Sequence, residues 1–146
     1  MKPLLVIAMG LALFLVANWA GAAGPQVGVV KTVKGEALIE REGKAFPAKT
    51  GDVLLEKDEI VTGRDGSMGL IMKDDSVLSI GSQSRLEFKA FAFEPAEQKL
   101  SAIYRFKRGT LVYLSGLIAK LRPEAVRFET RTAVCGVRGT YLAISE

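Results

Sequence analysis

The sequence contains no histidine and only one cysteine, Cys135. Without histidine, the chain cannot carry out Ser-His-Asp or Cys-His catalysis, use an imidazole general base or bind zinc through His ligands. A single cysteine forms neither an intrachain disulfide nor a multi-cysteine metal site. We expect this thiol to be buried as a small apolar residue; pairing with a second chain is the alternative.

An excess of charge of one sign is also missing. The 146 residues include 20 Lys and Arg and 16 Asp and Glu, a formal net charge of +4, with no long basic run. If Lys2 is lost with an N-terminal signal, 19 basic residues remain against 16 acidic ones, or about +3. Because so weak an excess is poor support for nucleic-acid binding, we expect no nucleic-acid partner.

The N-terminus has the three parts of a secretory signal. Lys2 is followed by an almost wholly apolar segment, residues 4–16, and then by small residues spaced as Ala20-x-Ala22. We predict cleavage after Ala22, which divides the chain into a signal peptide, residues 1–22, and a single domain, residues 23–146. An uncleaved anchor is the alternative, but the apolar segment is short for a membrane span and Asn18 interrupts it. No cysteine follows for a lipid anchor at that site. We expect no stable membrane span after cleavage.

Residues 58–88 show the clearest secondary-structure pattern. Apolar residues alternate with other residues in three short runs, 68–72, 78–80 and 86–88, and turn formers separate the runs. This spacing of two places one set of side chains on one face of a sheet. Short strands that turn this often predict an all-β sandwich of jelly-roll type, built from short antiparallel strands.

The remainder of the chain continues the pattern with several interruptions. We predict strands at 27–33, 37–39, 53–55, 60–62, 99–106, 110–114 and 126–130, and one last strand over 134–144. Residues 41–44 predict a hairpin turn and 56–59 a charged surface corner. Residues 90–98 predict a loop in which Phe91 and Phe93 pack against the core. Residues 115–121 fit either a strand or a short helical turn.

Several motifs in succession carry a resemblance to a known family. They are Gly35-Glu36-Ala37, Gly51-Asp52, the segment 58–63, the segment 69–78, and a closing segment 130–141 that looks like "T-x-T-A-V-x-G-V-R-G-T-x-(F/Y)", with Tyr141 directly after Thr140. In this order the chain resembles the FecR domain over about residues 27–144. The resemblance implies a periplasmic all-β domain of jelly-roll type, and a protein located in the periplasm or secreted.

The namesake FecR proteins use this domain to relay a signal from an outer-membrane transporter to a cytoplasmic sigma factor. In this sequence only three residues precede the apolar segment and the chain stops at Glu146, so we expect no direct anti-sigma activity. Asp75 also departs from the family, which commonly has glycine there. That departure implies strain if the residue needs a positive φ.

We expect the family-motif residues to have structural roles. Arg138 is the most distinctive: it either binds a carboxylate or phosphate through its planar fork or, as we favour, pairs with a buried carboxylate such as Asp58 or Asp52. Gly139 would then permit a bulge or a close backbone approach. The motif residues are Gly51, Asp52, Asp58, Thr62, Asp74, Ser76, Gly109, Gly136, Arg138, Gly139 and Thr140.

Catalytic and metal sites are poorly supported by the sequence. The spacing of Asp65, Asp74 and Asp75 does not match a calcium loop, and turn chemistry accounts for them better. Neighbouring carboxylates such as Glu40 and Glu42, or Asp58 and Glu59, suit a solvated surface better than glycoside hydrolysis. We therefore expect no enzyme activity, no cofactor and no bound metal.

Two functions remain from this reading. The first is a non-catalytic exported module that binds an envelope protein, a cell-wall glycan or another exported polymer. The alternative is a periplasmic accessory of a cell-surface signalling system whose other parts lie on separate chains. A fold alone does not decide between them, because jelly rolls carry many functions.

Overall fold

The computed structural model describes residues 24–137 and 139–146. The predicted signal peptide and Arg138 lie outside these residues. The described chain forms two β-sheets that pack face to face, which confirms the predicted all-β sandwich. In the described residues, no helix is both long and apolar enough to cross a membrane.

The first sheet has the strand order β13-β10-β7-β6-β1-β4. Its strands are β1 (Gln26–Lys34), β4 (Val53–Leu55), β6 (Ser67–Met72), β7 (Val77–Ile80), β10 (Thr110–Leu114) and β13 (Tyr141–Ser145). The second sheet has the order β12-β11-β9-β8-β5-β2-β3. Its strands are β2 (Ala37–Arg41), β3 (Lys44–Pro47), β5 (Glu59–Thr62), β8 (Arg85–Glu94), β9 (Lys99–Arg108), β11 (Val126–Glu129) and β12 (Val134–Gly136). Described neighbours are antiparallel except β9 and β11, which are parallel.

The core lies between the sheets and follows the predicted alternation. Leu70, Leu78 and Leu86 are fully buried, as the spacing of two requires. Aromatic residues from both sheets meet at its centre, where the ring centroid of Tyr113 on β10 lies 5.1 Å from that of Phe128 on β11. Removing such large side chains from water supplies most of the stabilisation, about 1.5–3 kcal/mol for each apolar side chain.

The predicted hairpin turn at residues 41–44 is confirmed. Glu42 and Gly43 connect β2 to β3 and both have positive φ, 51° and 76°. This is the backbone conformation of a type I′ turn, whose twist matches that of the flanking strands. The local sequence therefore determines the register of this pair.

The predicted loop at residues 90–98 is wrong. β8 continues to Glu94, and a 3₁₀ turn at Pro95–Glu97 connects it to β9. The ladder shifts register between Phe88 and Ala90, so the inward position moves from Phe88 to Phe91. Such a bulge interrupts the alternation of two without ending the strand. Phe91 is buried and Phe93 packs against the core, as expected.

The C-terminal third corrects two further predictions and settles an open one. Residues 134–144 do not form one strand: β12 belongs to the second sheet and β13 to the first. Leu117–Leu121 forms a short helix, α1, which resolves the ambiguity of residues 115–121. Cys135 is only half-buried rather than buried as expected, because its own strand, β12, lies at the edge of the second sheet and pairs with β11 alone.

Candidate functional site

The sequence predicted a solvated surface position for Asp58, but the structure buries this side chain. Arg41 donates hydrogen bonds from Nε and Nη2 to the two carboxylate oxygens of Asp58, over 2.8 and 2.7 Å. The Leu55 N–H also donates to Asp58, over 2.9 Å. The hydrogen bond to Asp58 also raises the pKa of Arg41. Arg41 is therefore the cation that compensates Asp58, the role the sequence had suggested for Arg138.

Asp74 and Ser76 form a second polar cluster, inside the sandwich. Ser76 donates to Asp74 Oδ1 over 2.6 Å, and the Ile118 N–H of α1 donates to Oδ2 over 3.3 Å. Tyr104 and Tyr113 are buried close by. Burial and then the negative charge of Asp74 raise the pKa of Tyr113 to about 12, and that of Tyr104 well above its usual range. The cluster joins β7, β9, β10 and α1 and is closed to solvent.

A third cluster is formed where Ser84 contacts both Thr62 and Gly109. Ser84 was not among the residues predicted from the sequence. Thr62 donates to the Gly81 carbonyl over 2.6 Å and accepts from the Ser84 N–H over 2.9 Å. Gly109 has φ +101°, and a Cβ there would overlap Ser84 Oγ and lie 2.5 Å from its Cα. This corner joins the ends of β5, β8 and β9. It forms the floor of the groove described below.

The other motif residues lie apart. Gly51, with φ +92°, and Asp52 form the turn before β4, where Asp52 accepts from the Lys49 N–H over 2.8 Å. Gly139 has φ +84° and its carbonyl accepts from Ser115 Oγ over 2.8 Å.

Gly136, at the end of β12, and Thr140, just before β13, are both exposed. A Cβ on Gly139 would meet nothing within 4 Å, so its conformation, rather than close packing, calls for glycine there. The motif residues therefore stabilise several separate parts of the fold and do not converge on one site.

Ion pairs cover the outer face of the second sheet. Eight side chains form one connected set, here called the charged lattice: Glu40, Arg85, Glu59, Lys107, Glu87, Arg105, Glu129 and Lys89. Lys107 Nζ lies 2.9 Å from Glu59, and Lys89 Nζ lies 3.0 Å from Glu129. The charges on this face compensate one another.

The lattice changes the acidity of two of its carboxylates. Burial favours the neutral form of Glu59, but the ion-pair contacts of its Oε1 with Lys107 and Arg85, at 2.9 and 3.1 Å, outweigh it and lower the pKa of Glu59 below its usual 4.5. The hydrogen bond from Lys89 lowers the pKa of Glu129. Both carboxylates are therefore held in the charged form by their partners.

One feature that the motif residues do not explain is a polar groove at one end of the sandwich, here called the arginine groove. It has a volume of about 580 Å³ and is lined by Thr62, Arg64, Gln83, Arg108, Gly109 and Thr110, among others. Turns supply most of these residues: Arg64 follows β5, Gln83 precedes β8 and Arg108 ends β9. The groove opens directly above the corner formed by Thr62, Ser84 and Gly109.

A second depression, of about 410 Å³, adjoins the arginine groove. Arg85, Lys107, Arg108 and Arg131 line it, so Arg108 belongs to both. Arg64, Arg108 and Arg131 are exposed. In the described part of the chain, no carboxylate oxygen lies within 4.0 Å of these three guanidinium groups. Their charge is therefore open to a ligand, unlike that of the charged lattice.

The sequence reading missed these arginines because they are far apart in the chain. Each follows or ends a different strand, and a basic residue in such a position is typical of any solvated surface. Guanidinium groups bind carboxylates and phosphates through two parallel hydrogen bonds. The surrounding hydroxyl and amide groups of Ser82, Gln83 and Thr110 both donate and accept. The arrangement is suited to binding an anionic ligand. Among the described residues, no cluster of three or more Asp, Glu or Cys side chains suits a metal ion.

Comparisons with known proteins add little to this description. No protein-family model matches the chain, and no curated protein matches it. One similar solved structure is a cell surface anchoring domain with 25% identity and a TM-score of 0.42. The similarity covers 44% of this chain and 86% of that domain. At this TM-score the similarity carries no argument about function.

Proposed function

We propose that this chain is an exported, non-catalytic module of FecR type that binds a protein or polymer of the cell envelope through the arginine groove. Export to the periplasm or beyond is supported by the signal-like residues 1–22. The FecR assignment is supported by the succession of motifs along the sequence. Most of those motif residues have structural roles, which is typical of a scaffold that carries a binding site at one end.

One observation carries the proposal: the contrast between the two charged surfaces. On the outer face of the second sheet the four cations of the charged lattice each lie within 4.0 Å of at least one carboxylate, so the lattice is compensated. At the arginine groove and the depression that adjoins it, Arg64, Arg108 and Arg131 have no such neighbour among the described residues. Three uncompensated guanidinium groups at one concave end favour an external anionic partner.

The chemistry of the lining favours binding without catalysis. The residues that line the arginine groove offer guanidinium, amide and hydroxyl groups and a single carboxylate residue, Glu146. Catalysis of acyl, glycosyl or phosphoryl transfer needs an activated nucleophile or an acid and base pair with separated pKa values. The groove supplies cations that orient a ligand instead. The signalling role implied by the FecR resemblance stays a prediction.

Capture in living cells tests the proposal. The full chain with a C-terminal tag is cross-linked in cells, and the partner retained from the envelope fraction is compared between variants. We expect the double variant Arg64→Ala/Arg108→Ala to lose the partner that the wild type retains. Arg127→Ala is the matched control, since it removes an exposed arginine that lines neither basic depression.

The comparison of the three proteins distinguishes binding at the arginine groove from binding elsewhere. Retention by the control and loss by the double variant would support binding at the groove. Equal retention by all three proteins would contradict it. The identity of a retained protein would then decide between a general envelope module and a signalling accessory.

A further inference from the structure

We infer that the ligand of the arginine groove is an extended acidic segment of a partner protein that carries at least two carboxylates. This inference rests on the proposed function, because it names the chemistry that the same groove recognises. Three observations carry it: the shared position of Arg108, the uncompensated arginines, and the mixed donor and acceptor character of the lining.

Arg108 lines both depressions, so they lie side by side. Arg64 belongs only to the arginine groove and Arg131 only to the adjoining depression, while Arg108 lines both. A ligand that follows both therefore passes Arg108 between two other guanidinium groups. The volumes of about 580 and 410 Å³ suit a chain of several residues rather than a single small anion.

The charges that face this path favour carboxylates along the ligand. Arg85 and Lys107 also line the adjoining depression, but both contact Glu59, over 3.1 and 2.9 Å. Glu59 thereby compensates part of their charge and fixes their positions. The net attraction comes from the three remaining arginines, which lie in succession. Each planar fork matches one carboxylate in a two-pronged contact, so a ligand with spaced carboxylates makes several such contacts at once.

The remaining lining residues favour a peptide over a uniformly anionic polymer. Gln83 and Thr110 both donate and accept hydrogen bonds, and Glu146 adds a negatively charged residue to the groove. A peptide backbone offers N–H donors to such acceptors, whereas an ionised polyphosphate offers only acceptors. No residue that lines either depression is aromatic, so the stacking surface that single-stranded nucleic acids use is missing there.

Fluorescence anisotropy on the purified mature chain tests this inference. The probe is a fluorescein-labelled nine-residue peptide with glutamate at alternate positions between glycines. A matching peptide with glutamine in place of glutamate removes the charge and keeps the shape. Polyphosphate and polygalacturonate are the competing anions. The proteins compared are the wild type, Arg64→Ala/Arg108→Ala and the control Arg127→Ala, and a melting curve of each verifies that it is folded.

We expect the glutamate peptide to bind the wild type and the control. The double variant should bind about tenfold or more weakly, since it loses two charge-assisted contacts. Added salt should weaken binding. The glutamine peptide should not bind.

Equal binding of both peptides, or equal binding by the double variant, would overturn the inference. Tighter binding of polyphosphate or polygalacturonate at the same arginines would replace the peptide by a polymer and leave the groove's binding role in place. If no anion binds, the inference fails, while loss of partner capture in cells by the same double variant would still uphold the proposed function.

Discussion

The guanidinium of Arg41 donates two hydrogen bonds to the buried carboxylate of Asp58, which joins the end of β2 to the turn before β5. Asp58 is 1% exposed, whereas Arg41 is 32% exposed and also lies over the ring of Phe46. The pair is therefore buried at its acidic end and open at its basic end. Removing the arginine therefore leaves the buried carboxylate of Asp58 without its cation.

Arg41→Ala should lower the free energy of unfolding by about 2–3 kcal/mol, between the values for exposed and buried pairs. Arg41→Lys should lose less, because it keeps the charge but not the two-pronged geometry. Urea unfolding followed by circular dichroism measures both. A loss below about 0.5 kcal/mol for Arg41→Ala would show that solvent compensates Asp58 without the arginine.

Asp75→Gly should stabilise the fold. Asp75 has φ +65°. This backbone conformation is unfavourable for a residue with a Cβ atom and almost neutral for glycine. We expect a gain of about 0.5–1 kcal/mol in the free energy of unfolding. The control is Lys73→Gly, an exposed residue outside the set with positive φ, which should instead destabilise because glycine adds freedom to the unfolded chain. Destabilisation by both changes would contradict the strain assigned to Asp75.

Gly109→Ala should be more harmful than Gly139→Ala. Both residues have positive φ, but a new Cβ would overlap Ser84 at position 109 and meet nothing at position 139. Gly139→Ala should cost about 1–2 kcal/mol for conformation alone. Gly109→Ala should cost more, because the backbone of the corner must also move. Equal losses in urea unfolding would mean that the corner below the arginine groove is not tightly packed.

Stability should fall in acid as the charged lattice is protonated. The folded pKa values of Glu59 and Glu129 lie below 4.5, so each carboxylate binds its proton more readily in the unfolded chain. The stabilisation is complete above about pH 4.5 and is lost as the pH falls through the folded pKa values. Unfolding free energies measured from pH 6 to about pH 3 should therefore decline, and Glu59→Gln should show a smaller decline. An unchanged slope in Glu59→Gln would remove Glu59 from this account.

Local patterns predicted much of this sandwich. The alternation of Met68, Leu70 and Met72 identified β6 and its buried face, and Glu42-Gly43 identified the hairpin turn between β2 and β3. The prediction failed where a local pattern was interrupted by a non-local cause. The bulge after Phe88 shifts the inward position by one residue, which makes a continuing strand look like a loop.

The candidate site was less predictable than the fold. Asp58 lies in a run of charged residues and looked solvated; its burial depends on Arg41, which is 17 positions away. Arg64, Arg108 and Arg131 come together only because the ends of β5 and β9 and the turn after β11 meet at one end of the sandwich. No spacing along the chain indicates such a meeting.

The most direct test of the central claim is site-specific photo-cross-linking in living cells. A photoreactive residue replaces Ser82, which lines the arginine groove, or Glu97, which is exposed on the 3₁₀ turn after β8. The account predicts a cross-linked species of higher mass from position 82, absent from position 97, and lost when Arg64 and Arg108 are changed to alanine. Cross-linking from position 97 but not from position 82 would contradict it and move the binding surface away from the arginine groove.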